Sequence, residues 1–167
     1  MEVRTACAAA VLIATMGASA HSQIPSKAPP GAKPPTILFM CPHGAAKSVL
    51  ASAYFEQWAK ERGLNVRVLA AGTDPDPEVA PRVARHLTSQ GLTVPITKPR
   101  RVTADDLNNA DVVVSLGCDL KDLPPPKGTL RKWDDVPAPS EDFVAADTKI
   151  RQHVMEIINE FLKQQAP

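Results

Sequence analysis

The chain has 167 residues, with 19 Lys+Arg against 18 Asp+Glu and a composition that is 44% hydrophobic but only 4% aromatic. That length suits one domain with a full hydrophobic core, and the apolar content excludes a chain disordered throughout. A net charge of +1 offers no basic field to a polynucleotide backbone, so no nucleic-acid partner is expected.

The first segment reads as an export signal. Arg4 gives a weakly basic start, residues 6–16 are apolar, and Ala18, Ser19 and Ala20 supply the small residues that signal peptidase cleaves beside. A membrane-spanning helix needs about 20 apolar residues, and this run is too short for one. Residues 1–20 are therefore expected to be removed, leaving a periplasmic or secreted chain without stable membrane insertion. Residues 21–35 are polar and carry Pro25, Pro29, Pro30, Pro34 and Pro35, a composition that favours extended, solvated backbone and reads as a tether.

Residues 36–167 read as the folded domain. Thr36 to Met40 is a short apolar run of the kind that forms a buried parallel strand. Val49, Leu50, Ala53, Tyr54 and Trp58 recur at helical spacing up to Gly63. Residues 66–71 read as a second strand, broken by Gly72 and the turn residues Asp74 to Pro77. Val79, Val83, Leu87 and Gly91 outline a second helix. Thr103 starts a short helical piece through Leu107, with Asp106 placed for a capping box. Residues 111–116 form the plainest strand, 129–133 a weaker one, and 142–164 a long helix with Ile150, Val154, Ile157, Ile158, Phe161 and Leu162 on one face. Strand and helix in alternation predict an α/β fold of three layers (α-β-α) around a central four-stranded parallel sheet. A monomer is expected.

In such sheets ligands bind beyond the carboxyl ends of the strands. The first strand delivers Cys41-Pro42-His43-Gly44-Ala45-Ala46-Lys47-Ser48 straight into a helix. A loop of small residues at a helix N-terminus aims backbone N–H groups and the positive end of the dipole at one point, which suits a tetrahedral oxyanion and stabilises a thiolate. Cys41 is the candidate nucleophile, Lys47 a cation able to return toward the cradle, and Ser48 a donor to the sulfur. Removal of the signal takes Cys7 with it and leaves Cys41 and Cys118, whose count alone leaves open a simple structural disulfide. His86 and His153 lie within predicted helices and read as packing or surface residues. No His, Cys and carboxylate cluster has metal spacing, so neither a metal nor another cofactor is expected. Residues 98–101 read as a solvated basic connector, and Pro124 to Pro126 and Ala138-Pro139 as rigid loops around the site's rim.

Residues 37–55 resemble the phosphate-binding loop of the low-molecular-weight protein tyrosine phosphatase superfamily, including its arsenate reductase branch. That loop carries cysteine, five residues, then arginine and serine, directly after the first strand. Ala70-Ala71-Gly72-Thr73, residues 98–114, Leu116-Gly117-Cys118-Asp119 and Trp133 to Pro139 are similar to further family stretches in the same order. The resemblance implies the family's three-layer fold, Cys41 as nucleophile with Lys47 and Ser48, and substrate held by Pro42, His43, Gly44, Ala45 and Ala46. His43 also occurs at this position in some arsenate reductases, and Cys118 falls where some of them carry a redox-active cysteine.

The departures are as informative. Lys47 stands where the family has arginine, keeping a charge but losing the planar fork that grips two oxygens. Gly44 replaces the usual asparagine and tolerates the left-handed backbone the loop needs. Ala138 occupies the place of the aspartate general acid, a contribution typically worth ~10²–10⁴-fold. Asp135 is the candidate replacement, beside Asp134, with a solvated turn charge as the plainer reading of both. The reading that follows is an exported phosphatase of slow turnover, acting on a phosphorylated small molecule or phosphoprotein through a phosphocysteine. The alternatives are a thiol-dependent arsenate reductase using Cys41 and Cys118, and a non-catalytic binder of a free oxyanion.

Overall fold

In the computed structural model residues 33–165 are described; the expected signal and all but the end of the expected tether lie outside them. β1 (Thr36–Cys41) is buried along its whole length. It pairs in parallel with β2 (Arg67–Gly72) on one side and β3 (Val112–Ser115) on the other, and β4 (Thr129–Lys132) adds in parallel outside β3. The strand order β2-β1-β3-β4 means the chain steps one way from β1 and returns on its other side. That reversal opens a crevice at the carboxyl end of β1, where Cys41 sits.

Side-chain alternation along β1 builds a core on each face of the sheet. Ile37, Phe39 and Cys41 join the larger core, formed with α1 (Lys47–Glu61), α2 (Pro81–Ser89) and α4 (Phe143–Gln165). Leu38 and Met40 join the smaller one, closed by Val102, Ala110 and Leu107 of α3 (Ala104–Asn109). The sheet is thus covered on both faces, as near-continuous apolar strands require. The four-stranded parallel sheet and its three layers are as the sequence predicts.

α1 is buried without a break from Ser48 to Phe55, because it is wedged between the sheet and α4. Its aromatics lock that wedge: Phe55 lies 5.7 Å from Phe39 and 5.9 Å from Phe161, and Phe39 lies 5.8 Å from Trp133. Tyr54 turns its hydroxyl into a polar cluster with His86, Asp147 and Arg151. Burial, then the bond and charge of Asp147, push its phenol well up.

Helix starts follow from local chemistry. α2 begins at Pro81, later than the apolar pattern from Val79 suggests, because Ala80 before the proline is held extended (ψ 121°). α3 has the expected capping box: the Asp106 N–H donates to Thr103 Oγ1 at 3.1 Å, and the Thr103 N–H to Asp106 Oδ2 at 2.9 Å. Burial alone would raise the Asp106 carboxyl, but bonds from Arg100 (2.6 and 2.9 Å) and Thr103 outweigh it and hold it low. Residues 98–101 are therefore more than a solvated connector. The Gly72 N–H donates to Arg100 O at 2.9 Å and the Val102 N–H to Gly72 O at 2.8 Å, which fastens this stretch to the end of β2. Among the described residues no helix is long and apolar enough to cross a membrane.

Candidate active site

Cys41 ends β1 at 2% exposure, and α1 opens at Lys47, so residues 42–46 make one tight arc over the sulfur. The arc is held from outside. The Asp74 N–H donates to Pro42 O (2.8 Å), the Asp76 N–H to His43 O (3.0 Å) and the Ala80 N–H to Ala45 O (3.0 Å). Among the described residues all peptide bonds are trans, and in a trans peptide the N–H opposes the C=O. Carbonyls turned outward at Pro42 and Ala45 therefore turn the N–H groups of His43 and Ala46 inward, while the Gly44 N–H closes a turn on Cys41 O at 3.3 Å. The result is a nest of donors at the start of a helix, suited to an anion.

Gly44 makes the arc possible. Its φ is +59°, and a Cβ there would stand 2.8 Å from the Gly72 nitrogen. Gly72 is the mirror case, since its own Cβ would stand 2.6 Å from the Gly44 nitrogen. Two glycines thus let the loop lie directly on the end of β2. Beneath the arc, Ser48 Oγ is 3.2 Å from Cys41 Sγ, and both are buried. The Cys41 thiol donates to Ser48 Oγ, and the same hydroxyl can turn to donate to the sulfur once it is deprotonated.

Lys47 does not fold its cation over the arc. Its Nζ donates to Val136 O at 3.3 Å and stands against Gly117, where an added Cβ would be 3.3 Å away. No carboxylate pairs with it among the described residues. The ammonium ties the start of α1 to the loops after β3 and β4, which a planar guanidinium would do with a different reach. His43 stands at the lip, 65% exposed, with Nδ1 at 3.3 Å from Asp76 Oδ1.

A cavity of about 490 Å³ opens above Cys41. The arc forms its floor, the first turn of α2 (Ala80 to Val83) and Phe143 form one wall, and Ala138 to Ser140 form the rim. Arg82 lines it with its guanidinium 4.4 Å from the centroid of the Phe143 ring. Asp76, Arg82 and Phe143 were not singled out from the sequence. A signal for the first two existed, because α2, like α1, starts just beyond the carboxyl end of a strand.

The expected general acid is not brought to the cavity. Ala138 lines it, whereas Asp135 does not, and the Asp135 carboxylate is held by His153 (2.8 Å) and Lys149 (3.1 Å). The His153 bond, with Lys149 behind it, keeps that carboxyl below its usual range, the wrong direction for a proton donor. His153 itself stacks on Trp133, with ring centroids 4.9 Å apart, and so serves packing. Pro124 to Pro126 are not on the rim either. They roof a separate apolar cavity of about 300 Å³ on the α3 face, lined also by Met40, Leu107 and Val113.

Cys118 lies half-buried after β3, packed against that smaller core. Burial pushes its thiol up to about 11, against a lowering bond with Ser115, while Cys41 raises it and Lys47 lowers it through space. Among the described residues no group of three or more His, Cys, Asp or Glu could hold a metal ion.

A cysteine under a backbone nest, at the switch point of a parallel sheet covered on both faces, defines the class of phosphate-loop proteins with a thiol beneath the loop. The family model of low molecular weight phosphotyrosine protein phosphatase matches residues 36–163, and the chain belongs to that family. It is 28% identical over 128 residues to a protein of Halobacterium salinarum assigned as an arsenate reductase, covering 74% of this chain and 90% of that one. A thioredoxin-dependent arsenate reductase of Corynebacterium glutamicum superposes with a TM-score of 0.68 at 26% identity over 81% of this chain, which spans 65% of that protein's length. A low molecular weight phosphotyrosine phosphatase of Vibrio cholerae superposes with a TM-score of 0.69 over 78% of this chain and 99% of its own, sharing the fold at 20% identity.

Proposed function

We propose that this chain is an exported phosphomonoesterase of slow turnover, acting as a monomer through a phosphocysteine on Cys41. The observation that carries the reading is the size and lining of the cavity. At about 490 Å³ it is many times a water's ~30 Å³ and far larger than a bare tetrahedral oxyanion needs. Ala45, Ala80, Val83, Pro139 and Phe143 give it apolar walls, as an organic leaving group requires.

In this reading the nest of N–H groups holds the phosphoryl oxygens while Cys41 Sγ attacks phosphorus. The ester P–O bond breaks and the leaving group departs as an oxyanion. It takes its proton from solvent, because Ala138 has none to give. Water then attacks phosphorus, the S–P bond breaks, and phosphate leaves with the thiolate restored. Lys47 supplies positive charge from the side, on Val136 O, without a fork around the oxygens. Turnover should therefore be restricted to phenols that leave readily as anions. The test is hydrolysis of p-nitrophenyl phosphate in excess over the enzyme: a burst of nitrophenol matching the enzyme concentration supports the reading, and no turnover at any pH from 5 to 8 removes it. Export is supported by residues 1–20 alone, and the N-terminus of protein recovered from the periplasm or medium checks it.

The arsenate reductases among the relatives support a second reading, arsenate reduction with Cys118 resolving an adduct on Cys41, while the family model is that of a phosphatase and other relatives are phosphatases. Cys118 is near enough to Cys41 for charge there to help raise the Cys118 thiol. Yet a thiol pushed up to about 11 is ionised to only ~10⁻⁴ at pH 7, which makes it a poor attacking group as it stands. A Cys41–Cys118 disulfide formed only in the presence of arsenate is the outcome that would move the assignment to this reading.

A further inference from the structure

The cavity holds a cation that the proposed chemistry does not use. Arg82, the second residue of α2, lines the same space as Cys41, yet among the described residues it has no carboxylate partner and no hydrogen-bond acceptor. Several other arginines of the domain are paired, Arg100 with Asp106, Arg101 with Asp74, Arg131 with Glu160 and Arg151 with Asp147, and the further unpaired ones among the described residues, Arg67 and Arg85, do not line this cavity. What positions Arg82 is a ring. Its guanidinium lies 4.4 Å from the centre of Phe143, and Phe143, only 7% exposed, is fixed edge-on by the His86 ring at 4.9 Å. A cation parked on an aromatic face keeps all its donors free, and the fixed ring spares much of the ordering cost of binding.

The surroundings leave that charge available. The first turn of α2 carries no acidic residue. Asp76, the carboxylate that also lines the cavity, is engaged by His43 at 3.3 Å. The space between the nest and Arg82 is walled by alanine, valine and proline, which suits the carbon skeleton of a ligand rather than water.

We infer that Arg82 forms a second anion subsite, and that the cavity takes small phosphomonoesters whose far end carries a carboxylate. The phosphoryl group occupies the nest over Cys41, the skeleton lies on the apolar wall, and the carboxylate meets the guanidinium fork in a two-bond pair. The inference rests on the nest binding the phosphoryl group, as in the proposed function, and not on turnover.

Two non-hydrolysable probes test it, phenylphosphonate and 4-carboxyphenylphosphonate, each read by the concentration that half-protects Cys41 from iodoacetamide, with Cys41 followed by mass spectrometry. Wild type should bind the carboxylated probe about tenfold more tightly, the usual scale of one well-placed charge-assisted pair. Arg82→Ala should bring the ratio of the two affinities close to one, and Arg82→Glu should invert it. Equal affinities in wild type, or a preference that survives Arg82→Ala, overturn the subsite while leaving the nest intact. Failure of both probes to protect Cys41 overturns the subsite and the phosphatase reading together. The expected preference without turnover of any phosphomonoester sustains the subsite and removes only the catalytic reading.

Discussion

Cys41 ends β1, Cys118 follows the neighbouring parallel strand β3, and the two face opposite cores. Cys41 is the more buried, yet it is surrounded by donors: a buried Ser48 hydroxyl at 3.2 Å and the inward N–H groups of the arc. Cys118 is more exposed but packs on leucines, and burial pushes its thiol up to about 11. Depth therefore does not decide what a thiol can do. What matters is whether the atoms that replace water can stabilise a negative charge. The cavities repeat the contrast, one floored by backbone donors and the other lined mainly by apolar side chains, with Lys132 at its edge, beneath Pro124 to Pro126.

The largest expected effect breaks the first half of that comparison. Cys41→Ser should reduce aryl phosphate turnover by about 10³-fold or more, to solution background, because the alkoxide equivalent is unavailable near neutral pH. A steady-state assay with wild type alongside decides it, and residual activity within tenfold would place the chemistry elsewhere. Next in size is a gain. Ala138→Asp returns a proton donor to the rim of the cavity and should speed phenyl phosphate by ~10²-fold, with little change for p-nitrophenyl phosphate, whose leaving group needs no proton. An equal gain on both substrates would mean the new carboxylate acts by something other than proton transfer.

Gly44→Ala sharpens the role of the arc. A Cβ would meet the Gly72 nitrogen at 2.8 Å with φ held at +59°, so strain and overpacking should together cost about 2–4 kcal/mol. Urea denaturation measures that loss, and phosphate should no longer raise the melting temperature of the variant. Retained phosphate stabilisation would show that the close contact of the two glycines is not what shapes the nest.

Much of this architecture was legible in the sequence. The apolar run at residues 36–40 and the helical spacing after Val49 fix β1 and α1, and between them the small-residue loop can only be an arc beside Cys41. The capping box at Thr103 was legible too, since it depends on residues three apart. What escaped were relations between distant segments. That Asp135 would be taken by Lys149 and His153 depends on the docking of α4 and not on anything near residue 135. Arg82 reads locally as an exposed first-turn residue, and its place on the cavity wall follows from Phe143, about 60 positions later. The proline loop at residues 124–126 was assigned to the wrong face because composition gives stiffness without direction.

The smallest effect is the one that best separates the two thiols. Under the phosphatase reading Cys118→Ser should leave aryl phosphate turnover within about twofold, since Cys118 lies off the cavity and is largely un-ionised at neutral pH. Its ionisation should instead appear in stability at high pH. Burial raises the folded-state thiol from 9.0 to about 11, so between those values the unfolded chain binds fewer protons than the folded one. Stability therefore falls as pH rises through that window and is fully retained below it. Urea midpoints at pH 8 and pH 10.5 should show a drop in wild type that is smaller in Cys118→Ser, with the remaining drop due to other groups. Equal drops would mean that the apolar packing does not hold the Cys118 proton. Cys118 would then be ionised readily enough to resolve an adduct on Cys41, and the arsenate reading would gain what it lacks.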